Sequence, residues 1–193
     1  MDMLVLGLLL FLGTHSVRIV ADGWRTRMVQ RLGATGWKAT YSLFALAGLV
    51  LIVIGYGAAR EQNLLLFEAP RWTGPLATLL MLPALAVAVA AYVPGTRIKA
   101  AIGHPLVAAT KLWAAGHLLA NGGLADVVLF GAFLVWAGMD FSSLRRRDRA
   151  SGTRYSAGPL WRDGVAVAIG AALWVAMLAG GHGWLTGVKL LGM

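Results

Sequence analysis

The chain has 193 residues, 59% of them hydrophobic and 13% charged, with a mean hydropathy of +0.72. Soluble domains carry about 45–50% apolar and about 25% charged residues, so this composition excludes an ordinary soluble domain and predicts an integral membrane protein. The net charge of +9 sits between apolar runs, where it reads as topology rather than nucleic-acid binding, and cysteine is absent, which excludes disulfides, thiolate zinc sites, iron–sulfur clusters and thioether-attached haem.

A bilayer core about 30 Å thick needs roughly 20 apolar residues per helix. On that measure the sequence predicts an all-α polytopic bundle of six transmembrane helices in one domain. The N-terminal run "MDMLVLGLLLFLG" lacks a basic leader and a small-residue cleavage site, so it reads as a retained first span, residues 3–21. The second span covers 41–59. The third, 75–93, opens on a proline in the tolerant first turn. The fourth, 105–121, is shorter and interrupted by Lys111. The fifth covers 124–141 and the sixth 164–180. The stretch 184–191 is too short to span and is expected at the interface. Small residues recur in the second, third and sixth spans, as expected where membrane helices approach closely. Eight tryptophans suit the membrane–water boundary.

Basic residues set the orientation. Arg25, Arg27, Arg31 and Lys38 lie between the first two spans, and Arg97 and Lys99 between the third and fourth. Arg145–Arg149, Arg154 and Arg162 lie between the last two, whereas the other side carries Arg60, Arg71 and Lys189. The positive-inside rule makes the odd-to-even loops cytoplasmic and both termini periplasmic, as in a bacterial inner membrane.

The chain has four histidines, and two fall inside the spans. His15 lies about 12 residues into the first helix from outside, and His117 about 12 into the fourth from the cytoplasm. At about 1.5 Å per residue each is about 18 Å deep, and their heights differ by about 6 Å. Polar groups at such depth are costly and usually functional. Two midplane imidazoles on antiparallel helices suit the axial ligands of a non-covalent b-type haem; separate interhelical hydrogen bonds would also account for them. Arg18, three residues after His15, suits a haem propionate or a snorkelling helix end. Lys111 suits a propionate or Asp140. His104, before Pro105, lies about 20 Å along the helix from His117, too far for the same iron, and suits a cap or the edge of a substrate site. His182 reads as an exposed turn without chemistry.

The blocks "FLGTHSVR" and "GHPLVAATKLWAAGHLLANGGLADVVLFG", with the six compact spans, resemble the NnrU family, bacterial membrane proteins named from denitrification gene clusters. That family is similar to the plant and cyanobacterial 15-cis-zeta-carotene isomerase, a haem b membrane protein that turns a central cis double bond of a carotene trans. The resemblance implies that His15 and His117 ligate haem, that Trp113 matches the tryptophan of the second block, and that His104–Pro105 matches the family's His-Pro pair. The isomerase carries a cysteine three residues before its second histidine, associated with ligand exchange; Ala114 stands here, and alanine cannot ligate.

Three function classes follow. One is haem-dependent cis-trans isomerisation of a hydrophobic polyene drawn from the lipid. Another is a non-enzymatic haem protein supporting nitrite or nitric oxide reduction through a redox partner, by NO binding or by reductase maturation. The third is a cofactor-free bundle whose histidines join helices.

Overall fold

The computed structural model describes residues 1–62 and 64–190. In chain order the elements are α1 (Asp2–Val20), α2 (Asp22–Glu61), α3 (Thr73–Ala90), α4 (Arg97–Ile102), α5 (Pro105–Ala120), α6 (Leu124–Ser151) and α7 (Trp161–Ala176). A π-helical turn, Met177–Gly181, then leads into α8 (His182–Thr186). Among the described residues the fold is all-helical, apart from an isolated bridge between Leu65 and Gly123.

Among the described residues five helices are long and apolar enough to cross a membrane: Asp2–Val20, Asp22–Glu61, Thr73–Ala90, Leu124–Ser151 and Trp161–Thr186. The expected fourth span is α5, whose 16 residues reach about 24 Å, less than the core's thickness. The spanning helices leave large apolar side chains exposed, among them Leu9, Leu43, Val53, Leu79, Val135 and Val175. Lipid, rather than water, solvates such surfaces.

Two basic stretches expected as loops are helical. Residues 22–40 join the second span in α2, and Arg145–Arg149 extend α6 beyond the predicted end at 141. Hydropathy marks where a helix leaves the hydrocarbon, not where its hydrogen-bond ladder stops; arginine and lysine are good helix formers. The break within α2 is Gly33, at φ 72° and ψ 166°. Residues 24 and 37 would stand about 20 Å apart on a straight helix, yet the Trp24 and Trp37 rings are 5.9 Å apart. Arg25 also lies 6.0 Å from the Trp37 ring, so residues 22–32 fold back against the start of the span. The sixth span likewise continues past 180 into α8; Leu191, the end of the expected interfacial stretch, lies outside the described residues.

The chain divides into two compact units, Met1–Pro70 with His117–Ser143, and Arg71–Gly116 with Leu144–Met193. In the first, α1 and α2 pack antiparallel through glycines. A side chain at Gly7 would meet the Ile52 backbone nitrogen at 2.6 Å, and one at Gly48 the Phe11 nitrogen at 2.6 Å. One at Gly55 would collide with the Leu4 backbone. The three contacts keep one register, which places His15 near residue 44 of α2. The connection after α2 is pinned by Leu66 N–H donating to the Gly122 carbonyl (2.8 Å) and Leu124 N–H to the Leu64 carbonyl (2.8 Å).

In the second unit α3 and α7 pack by the same device. A side chain at Gly170 would sit 2.6 Å from the Ala86 Cα, and Ala90 and Ala166 are fully buried. Trp174 Nε1–H donates to the Thr78 carbonyl (2.7 Å), beside the Leu79 carbonyl that Pro83 deprives of its helical donor. Thr96 caps α4 by accepting from Lys99 N–H (3.1 Å), and Asp163 Oδ1 accepts from Ile98 N–H (3.0 Å).

Candidate functional site

His15 is held by its own helix. Its Nδ1 lies 2.7 Å from the Phe11 carbonyl oxygen, one turn earlier. A carbonyl only accepts, so Nδ1 carries the hydrogen and donates it; in the neutral ring Nε2 then presents its lone pair. Metal-bound histidines are commonly oriented in this way, one nitrogen donating to a backbone carbonyl and the other ligating. Aromatic rings fix the imidazole laterally. Phe11 lies 4.3 Å away between centroids, Tyr41 approaches edge-on at 5.2 Å, and Trp136 edge-on at 6.0 Å. The indole Nε1–H of Trp136 is buried and has no hydrogen-bond partner.

His117 stands in the same unit, stacked on Phe130 at 4.5 Å and 28°. Phe130 meets Tyr56 edge-on at 6.2 Å. The Tyr56 hydroxyl donates to Asp126 Oδ1, and the Arg60 guanidinium lies 5.5 Å from the Tyr56 ring. Phe130, Phe133 and Trp136 follow one another at three-residue spacing on α6, hence along one side of that helix. Phe11 reaches Phe133 at 5.8 Å. The aromatic row of α6 therefore connects the surroundings of the two histidines. Trp136 and Phe130, the α6 neighbours of His15 and His117, are six residues apart, or about 9 Å in height.

The other predicted residues have different company. Arg18 is exposed, with Nε 3.7 Å from Asp22 Oδ1 one turn on. Lys111 and Trp113 are half-buried residues of α5 in the second unit, and the Ala114 methyl is fully buried. His104 opens α5 in the second unit with Nε2 2.8 Å from Asp148 Oδ2, each side chain 15% exposed. The Tyr155 hydroxyl donates to Asp148 Oδ1 (3.2 Å) and lies 3.4 Å from His104 Nε2. Burial, the Asp148 charge and that hydrogen bond raise the Tyr155 hydroxyl above its ordinary pKa, while Arg145 opposes them. His182 is half-buried, and its Nδ1 donates to the Val188 carbonyl (2.8 Å), closing the C-terminal turn rather than standing in an exposed one.

Sequence reasoning did not find Trp136, Tyr41 or the α6 aromatic row. Phe11 was available, four residues before His15 on the same face. Asp148, one carboxylate inside "RRRDR", carried no signal for His104.

Among the described residues no group of three or more His, Cys, Asp or Glu side chains could hold a metal ion. Haem sets a different requirement, because the porphyrin supplies four nitrogens and the protein adds only axial ligands. A tautomer-fixed imidazole, an aromatic lining and a buried indole N–H without an acceptor fit such a group.

The family model described as NnrU protein matches residues 3–190. No curated protein and no solved structure matches the chain.

Proposed function

This chain belongs to the NnrU family, and from that premise we propose that it is a b-type haem protein of the bacterial inner membrane, with His15 and His117 as the axial ligands. The observation that carries the reading is the Nδ1–H bond from His15 to the Phe11 carbonyl (2.7 Å). It gives Nε2 the lone pair a metal requires, on a helix that crosses the hydrocarbon. In a cofactor-free bundle whose histidines join helices the imidazole would bond across to another helix, whereas Nδ1 here bonds its own. His117, in the same unit and packed on the same aromatic row, is the second ligand.

A bound haem supplies a redox-active iron. The residues around it exclude water, hold the imidazole of His15 in one tautomer and offer an apolar surface to lipid-soluble molecules. Two uses follow, and they divide at Ala114. Isomerisation of a polyene needs a coordination position opened at the iron, and Ala114, buried and without a donor atom, cannot take the part of the isomerase's cysteine. Electron transfer in support of nitrogen-oxide reduction needs no position opened at the iron. Ala114 therefore favours the non-enzymatic reading, with polyene isomerisation as the alternative.

The test is the absorption spectrum of the purified protein, oxidised and dithionite-reduced, with haem counted as its pyridine complex. The proposal expects a sharpened Soret band, resolved α and β bands on reduction, and about one haem per chain. Protein expressed with sufficient haem that purifies colourless would overturn it. A haem-loaded protein that converts 15-cis zeta-carotene would restore the isomerase alternative.

A further inference from the structure

In a membrane interior a buried N–H finds no water, so an indole without an acceptor is costly. Nearly all buried polar groups in folded proteins are paired, and each exception calls for an explanation. Among the described residues the buried unpartnered side-chain atoms are Trp136 Nε1 and Asp163 Oδ2. The other oxygen of Asp163 accepts from Ile98 N–H, which explains that residue as a helix-capping group. Trp136 has no such second role. Its ring stands edge-on to His15, the residue whose Nε2 presents a lone pair.

Resting on the haem reading, we propose that Trp136 is a haem-binding residue whose indole N–H donates to a propionate carboxylate. The chemistry of the ligand selects that acceptor. Haem b is hydrocarbon around its rim except for two propionates, which are its only oxygen acceptors. Arg18, the cation nearest to His15 in sequence, lies beside Asp22 and is exposed. A neutral donor already desolvated by the fold adds a hydrogen bond without burying a second charge. A propionate held by Trp136 would fix the orientation of the porphyrin beside His15.

The experiment compares wild type with Trp136→Phe, which keeps an aromatic ring and removes the donor. Apoprotein in detergent is titrated with haem b and, separately, with iron etioporphyrin, whose periphery is all alkyl. The Soret change reports binding. The proposal expects Trp136→Phe to weaken haem b by roughly ten-fold or more, the scale of a hydrogen bond to a charged group, and to bind etioporphyrin as wild type does. Equal loss for both porphyrins would assign Trp136 to packing and overturn the proposal. Unchanged affinity for both would overturn it as well. Wild type that binds neither porphyrin would overturn the haem reading itself, and this inference with it; wild type that binds both equally would overturn the propionate contact alone.

Discussion

At the scale of single residues, the fold holds two histidines by opposite means. His15 is oriented by a carbonyl of its own helix, whereas His104 is oriented by a carboxylate from a distant part of the sequence. The His104–Asp148 pair is largely shielded, and deleting Asp148 removes its bonds to His104 and to Tyr155 together. Asp148→Ala should destabilise the protein by about 1–3 kcal/mol, read as a lower apparent Tm in detergent. His104→Ala should add little on top of it, since the two share one interaction; additive losses would deny the pairing. Tyr155 joins the same cluster with a raised pKa. The folded state holds the phenol proton more tightly than the unfolded chain, so the stability it contributes is complete below about pH 10. It is lost as pH rises through the folded-state value. The difference in apparent Tm between wild type and Tyr155→Phe should therefore disappear in strong alkali; a difference that persists would exclude the hydroxyl as its source.

At the scale of helices, glycine decides two different things. At Gly48 and Gly55 it lets α1 and α2 touch backbone to backbone. Gly55→Val should force these helices apart and cost about 1–3 kcal/mol or more. Gly57→Ala, where nothing lies within 4 Å of an added Cβ, should be neutral or gain up to about 1 kcal/mol from helix propensity. Equal effects at the two sites would contradict the register. At Gly33 the issue is conformation, because φ of 72° is a region side chains rarely adopt. Gly33→Val should open the bend, and spin labels at 24 and 37 would separate toward about 20 Å. An unchanged distance would show that packing, not Gly33, makes the bend. These helices explain what could be read from sequence. Apolar length located the hydrocarbon segments, because transfer into lipid depends on composition. It did not locate the fold-back before the second span or the basic extension of α6, because helical hydrogen bonding continues in water as readily as in lipid.

At the scale of the whole molecule, the arginines and lysines concentrate on segments between spans one and two, three and four, and five and six. On the six-span reading, the positive-inside rule predicts that these segments are cytoplasmic. A reporter that is active only in the cytoplasm, fused after Gly152, should be active, and one active only in the periplasm should be silent; the reverse would invert the topology. The candidate site was legible as far as depth could take it. His15 and His117 stand out because imidazole is rare in hydrocarbon. Trp136 does not, since tryptophan is ordinary in membrane helices and only the packing around its Nε1 distinguishes it from the other seven of eight. The central claim is that two of the four histidines hold one haem, and haem per folded chain across four single variants tests it most directly. His15→Ala and His117→Ala should each lose haem or its six-coordinate spectrum, while His104→Ala and His182→Ala retain both. Full haem content and an unchanged spectrum in His15→Ala and His117→Ala would contradict the account.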